Sequence, residues 1–178
     1  QEKIGDFFKN LDNLIELHQR ELELTKDLKK SMLQKMFPKK GETTPEIRFD
    51  GFTDDWRRRK FKDMVMRVSK TSSEDMLPRV EYEDIISGQG SLNKNIFNKE
   101  SNKKGIKFEE GDTLFGKLRP YLKNWLLAYF KGIAVGDWWV LRPIDMNKDF
   151  IYTLIQCRQY LIVANLTTGT KMPRSDWN

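Results

Sequence analysis

The stretch Gln1–Phe37, QEKIGDFFKNLDNLIELHQRELELTKDLKKSMLQKMF, contains no proline and one glycine, Gly5. With Ile4 at position a of a heptad, the a positions are Ile4, Leu11, His18, Thr25 and Met32. The flanking d and e positions add Phe7, Phe8, Leu14, Ile15, Leu22, Leu28 and Met36. These residues form a seam along one side of a helix, wider than a minimal a/d stripe and interrupted by polar His18 and Thr25. Acidic Glu2 and Asp6 open the stretch, and Lys29, Lys30 and Lys35 close it, as the helix dipole favours. Pro38 and Gly41 stop it. At 1.5 Å per residue the helix spans about 55 Å, too long to bury its seam against one small domain. The pattern predicts a coiled-coil-type helix that needs a partner helix, with Ile4, Phe8, Leu11, Ile15, His18, Leu22, Met32 and Met36 at the interface.

Charge divides the chain at the end of this helix. Residues 1–37 carry seven basic and seven acidic side chains, so the net charge of +6 lies entirely in the remainder, which holds 25 basic and 19 acidic groups. A neutral rod and a cationic globular part suggest a protein partner for the first and a polyanion for the second. A merely soluble basic protein would have the same balance. Apolar content of 38%, with 12% aromatics, suffices for one real core in 178 residues. A single cysteine, Cys157, excludes an internal disulfide and fits a reducing compartment; apolar neighbours at helical spacing place it in the core. The longest apolar run, Trp125–Phe130, is too short to span a bilayer, and no signal peptide is present, so a cytoplasmic location is expected. A start at Gln1 rather than methionine suggests a piece of something longer.

Outward from the helix, Pro38–Thr44 (PKKGETT) reads as a linker, and Phe49, Phe52 and Trp56 are expected to pin a connector onto the domain. Met64–Val68 reads as a strand, Thr71–Ser73 as loop, Pro78–Ile86 as strand and turn, and Ser87–Lys104 as a long surface loop. Thr113–Leu118, Trp125–Phe130, Ile133–Val135 and Trp138–Leu141 are expected strands, separated by turns at Gly111-Asp112, Lys131-Gly132 and Gly136-Asp137. The unbroken apolar character of Trp125–Phe130 predicts burial on both faces. Asn147 is positioned to cap a helix bearing Phe150, Ile151, Leu154, Ile155, Leu161 and Ile162. The fold class is therefore α+β: a long helix over 1–37, a linker and connector over 38–59, and a domain over 60–178 built on a mixed or antiparallel sheet.

Catalytic motifs are hard to find. There is no P-loop, and Gly88-Gln89-Gly90 lacks the third glycine of a dinucleotide loop and reads as a turn. One histidine and one cysteine, far apart, argue against a zinc site or a Cys/His dyad. The D/N-P-P-Y/F motif of amino-methyltransferases is missing, and Asp54 and Asp55 read as solvated loop charges. Two loops are more informative. In Gly116–Asn124 (GKLRPYLKN), Leu118, Tyr121 and Leu122 are expected to anchor a stiff turn from which Lys117, Arg119, Lys123 and Asn124 project. In Thr167–Ser175 (TTGTKMPRS), Thr168, Gly169, Thr170, Lys171 and Arg174 offer hydroxyls, a flexible glycine and two cations. Such groups suit phosphates and base edges, although a solvated basic hairpin would look the same. The run Arg57–Lys60 is a third candidate contact, or simply a solvated face.

The helix sequence resembles the central conserved helix of a type I restriction–modification specificity subunit. PEIRFDGFTDDW, GDTLFGKLRPYLKNWLLAYFKGIAVGDWWVLRP and TTGTKMPRSDW resemble the opening, middle and DNA-side loop of that family's target recognition domain. The likeness runs over nearly the whole chain, and the order and spacing of the motifs carry it more than any one of them. It implies a non-catalytic DNA-recognition module that reads one half of a split double-stranded target. Modification subunits would dock beside the helix and methylate adenine, and restriction subunits would join them. S-adenosylmethionine, ATP and Mg would be bound by those partners, and no cofactor by this chain. Where the family pattern has two recognition domains and two conserved helices, this sequence shows one of each. The helix is therefore expected to self-associate, whether the chain is an excised fragment or a half-subunit. A coiled-coil scaffold whose basic domain binds an acidic protein remains the alternative.

Overall fold

The computed structural model describes residues 1–98, 101–164 and 173–175. The chain divides into two compact units, Gln1–Trp56 and Arg57–Asn178. The first carries 10 basic and 12 acidic residues and the second 22 and 14, so the cationic excess lies wholly beyond Trp56.

In the first unit a single α-helix, α1 (Glu2–Lys35), buries none of its residues. Its last turn closes with Met36 N–H donating to the Met32 carbonyl at 2.9 Å. The segment after Pro38 is more ordered than a linker composition suggests. Ile47 N–H donates to the Lys35 carbonyl at 3.0 Å, and Trp56 N–H to the Thr43 carbonyl at 2.8 Å. Phe37 is buried, with the Trp56 ring 5.7 Å away. Lys39 and Glu46 form an ion pair across this turn. Phe49 and Phe52 do not pin anything down: both are largely exposed.

The second unit, the head, is α+β. Its strands are β1 (Val65–Val68), β2 (Thr71–Ser72), β3 (Arg79–Val80), β4 (Ile85–Ile86), β5 (Ser91–Leu92), β6 (Gly105–Phe108), β7 (Thr113–Gly116), β8 (Trp125–Leu127), β9 (Gly132–Ala134) and β10 (Trp138–Pro143). Helices α2 (Lys148–Leu154) and α3 (Arg158–Ala164) follow. One sheet has the order β1-β10-β7-β8 and is antiparallel throughout. A second has the order β2-β6-β9-β3, with β3 and β9 parallel and the other pairs antiparallel. β4 and β5 form a separate antiparallel pair.

The period-2 alternation of strand side chains builds two cores from one sheet. Leu114, Leu126, Trp138 and Val140 join Val80, Phe108 and Ala134 of the second sheet in one apolar cluster. Their sequence neighbours Phe115, Trp125, Trp139 and Leu141 join Ile151 and Ile155 in another. The expected double burial of the Trp125 strand is thus found in β7 and β10 as well. Asn147 caps α2, its side-chain oxygen accepting from Phe150 N–H at 2.9 Å. The expected single C-terminal helix is two short ones, and Cys157, between them, is buried.

Three further expectations need correction. Thr71–Ser72 is a strand paired with Gly105–Ile106, and Ser87–Lys104 contains β5 and the fully buried Ile96 rather than surface loop alone. Gly132 lies inside a strand, where a Cβ would meet the Phe108 ring at 2.5 Å and the Pro78 carbonyl at 2.8 Å. Close approach of ring and backbone, not a turn, requires glycine there. β3 also carries a buried arginine, Arg79, whose guanidinium donates to the carbonyls of Ser73, Asp75, Leu77 and Lys103 at 2.8–3.3 Å. Buried donors matched to backbone acceptors hold the irregular 73–77 segment against the sheet.

Candidate nucleic-acid interface

β7 ends at Gly116, and the chain then turns sharply. Arg119 and Lys123 both adopt left-handed backbone conformations, at φ 50° and φ 56°, on either side of a single 3₁₀ turn, Pro120–Leu122. Each such non-glycine residue costs about 1–2 kcal/mol, so the surroundings must hold the turn in place. They do so through the backbone. Gly116 N–H donates to the Asn124 carbonyl at 2.8 Å, and Gly88 N–H to the Lys123 carbonyl at 2.9 Å. Lys117 N–H donates to the Asp137 carbonyl at 3.0 Å.

The second candidate loop rejoins the described structure beside the first. Leu118 and Arg174 form an antiparallel bridge. Arg119 N–H donates to the Pro173 carbonyl and Ser175 N–H to the Lys117 carbonyl, each at 2.8 Å. Ser175 Oγ donates to the carbonyl of Ala164, at the end of α3, at 2.7 Å. Pro173–Ser175 is therefore fixed both to the Lys117–Arg119 edge and to the last helix. Thr168, Gly169, Thr170 and Lys171 lie outside the described residues.

Tyr82 ties this edge together. Its hydroxyl donates to the Asp137 carbonyl and accepts from Leu118 N–H at 3.2 Å, while its ring stands edge-on to Trp138 at 4.6 Å. Burial pushes the phenol up to about 12, so it stays a neutral donor at physiological pH. The Asp137 carboxylate sits between two cations, with Oδ1 3.6 Å from Lys117 Nζ and Oδ2 3.1 Å from an Arg174 guanidinium nitrogen. Arg119 and Lys123 are exposed and form no ion pair among the described residues. Lys117, Arg119 and Arg174 thus stand along one paired edge, with Lys123 closing the same turn.

Two sequence expectations about this turn change. Tyr121 and Leu122 were expected to anchor it, but they are 52% and 40% exposed, and the buried anchor is Pro120. Tyr121 is therefore an exposed aromatic side chain on the turn, between Arg119 and Lys123 in sequence, and does not order the loop from within. Asn124 is only 6% exposed and its carboxamide oxygen accepts from Ser87 Oγ at 3.0 Å, so it supports the turn and offers no surface group. Sequence reasoning passed over Tyr82 and Asp137. The Gly136-Asp137 pair was read as a turn, and its carboxylate could be linked to Lys117 only through the β7–β10 pairing.

Of the helix residues, Ile4, Phe8, Leu11, Ile15 and Leu22 are exposed, Leu11 least at 38%. Met32 and Met36 are half-buried. His18 is exposed, 3.6 Å from Glu21. The Arg57–Lys60 run is exposed as well, with an Arg59 guanidinium nitrogen 3.7 Å from the Met146 sulfur. Among the described residues no three potential metal ligands stand together, and no helix is long and apolar enough to cross a membrane.

No protein-family model and no curated protein matches the sequence. One solved structure, described as the structural basis underlying complex assembly and conformational transition of the type I R-M system, contains a similar chain. It is 19% identical, with a TM-score of 0.48, over 64% of this chain and 33% of that one. This chain thus spans about a third of the length of that chain.

Proposed function

We propose that the chain is a DNA sequence-recognition module of a type I restriction–modification enzyme, performing no bond chemistry itself. The head would read one half of a split double-stranded target. The helix would self-associate and dock modification subunits that methylate adenine with S-adenosylmethionine, with restriction subunits joining the assembly. The observation that carries this reading is the Leu118–Arg174 pairing, which brings Arg174, at the described end of the second loop, to the edge of the first. A backbone-held turn bearing Lys117, Arg119 and Lys123, joined along one edge by Arg174, gathers the cationic side chains that contact phosphates. Tyr121, exposed between Arg119 and Lys123, is positioned to stack on a base or sugar. Thr168, Gly169, Thr170 and Lys171 complete the proposed contact set on the strength of the sequence resemblance, and Asn124 is left out of it because it is buried.

The test is reconstitution. Full-length chain, the modification subunit of the same system, S-adenosylmethionine and duplex DNA are combined, and methylated adenines are mapped. The expected result is methylation at a split site only when both proteins are present, lost with Lys117→Ala, Arg119→Ala and Arg174→Ala combined. Methyl transfer or cleavage by this chain alone, or an assembled complex indifferent to the triple substitution, contradicts the proposal. Binding to an acidic protein in place of DNA would favour the scaffold alternative.

A further inference from the structure

The four cations of the paired edge are not equivalent. Arg119 and Lys123 have no acidic partner among the described residues, whereas Lys117 and Arg174 share one, Asp137. Asp137 divides its work cleanly between backbone and side chain. Its carbonyl accepts from Lys117 N–H and from the Tyr82 hydroxyl, which holds the turn. Its carboxylate lies against the two cations and, among the described residues, has no other hydrogen-bond or ion-pair partner. The backbone bonds that hold the turn thus use the Asp137 carbonyl, and its carboxylate is engaged by the two cations. That carboxylate is an anion already lying between two basic side chains of the edge.

We propose that Asp137 is a built-in anion that competes with DNA phosphate for Lys117 and Arg174. This inference rests on the DNA-binding reading and adds a control on it. A polyanion arriving in a poor register has to displace the carboxylate without gaining good contacts, so loose binding is penalised. A duplex in the right register gains contacts from Arg119, Lys123 and Tyr121 that outweigh the displacement. Both cations are partly exposed, so the competition acts through screened charges and is strongest at low ionic strength.

Asp137→Asn removes the charge while keeping the backbone carbonyl and a hydrogen-bond acceptor for Arg174. Asp137→Ser is the second variant, and melting curves confirm which of them folds. Full-length proteins are titrated onto a random-sequence duplex over a range of salt and are also eluted from heparin. The charge-free variant is expected to bind the duplex about three- to tenfold more tightly at low salt and to elute later from heparin. Its salt slope should steepen by about one, as one more cation displaces counterions. The gain should vanish when Lys117 and Arg174 are both alanine and persist with Arg119→Ala, which a merely structural role would not produce. Duplex binding that is sensitive to Lys117→Ala but unchanged or weakened in both Asp137 variants overturns the inference and leaves the DNA reading standing. A heparin gain without duplex binding by any variant upholds the internal anion and removes the DNA reading.

Discussion

The helix Glu2–Lys35 and the head beyond Arg57 solve the burial problem in opposite ways. The helix exposes Ile4, Phe8, Leu11, Ile15 and Leu22 and buries nothing over 34 residues. In the head, β7 and β10 send alternate side chains into two separate cores. Helical hydrogen bonds and propensity alone leave an isolated helix marginal, so most helical stability comes from packing an apolar face. The head carries its own packing. The helix carries an unused face, and the proposed self-association and subunit docking give that face a role. Charge follows the same division, with the cationic excess confined to the unit that has its own core.

The largest expected effect falls on the head. Arg79→Met removes the donor to four carbonyls in a buried setting and should cost about 3 kcal/mol or more. Thermal unfolding followed by tryptophan fluorescence would show it, since Trp125, Trp138 and Trp139 are buried in the head. A loss below 1 kcal/mol would mean that the 73–77 segment does not depend on this side chain.

Next in size is the helix seam. Leu11→Ala with Ile15→Ala should leave head unfolding unchanged but weaken self-association by about 1.5–3 kcal/mol per side chain buried in the partner, read by sedimentation over a range of concentrations. A wild-type chain that stays monomeric at every concentration would break the comparison, because the exposed face would then have no partner of its own kind.

Smaller effects belong to the cationic edge. Lys117→Ala should reduce the slope of log affinity against log salt by about one on any duplex, as a phosphate contact does. Arg119→Ala should relax discrimination at one base pair if it reaches a base edge, and equal loss on matched and random duplexes would assign it to the backbone. The smallest change is Tyr82→Phe, costing about 0.5–1.5 kcal/mol at neutral pH through the lost hydrogen bonds to Asp137 and Leu118. Its pH dependence has a definite sign. The folded phenol titrates at about 12 against an ordinary 10.0, because burial opposes its ionisation. Stability from the neutral form is full below pH 10 and falls as pH rises towards 12. Phenylalanine removes that part of the alkaline loss, and melting curves across this range would test it.

How much could be read in the sequence depended on the range of the interaction. The long helix was legible because its periodicity extends over many turns, and the Asn147 cap because it acts within three residues. The strands around Trp125 and Trp138 declared themselves through apolar runs bounded by turns. β2 and β5 did not, since a two-residue strand has no period to read, and only its partner makes it a strand. The alternation of Ile106, Lys107 and Phe108 did carry a signal for β6 that was passed over. For the candidate interface, composition pointed to Lys117, Arg119, Lys123 and Arg174. The exposure of Tyr121, the burial of Asn124 and the place of Asp137 follow from long-range pairing that no local pattern records.

Hydrogen exchange of the full-length chain, with and without saturating duplex DNA, addresses the division of labour most directly. Within the described residues, the account predicts slowed exchange over Gly116–Asn124 and Pro173–Ser175, with the amides of Glu2–Lys35 unchanged. Protection along the helix, or on the head away from that paired edge, would contradict it.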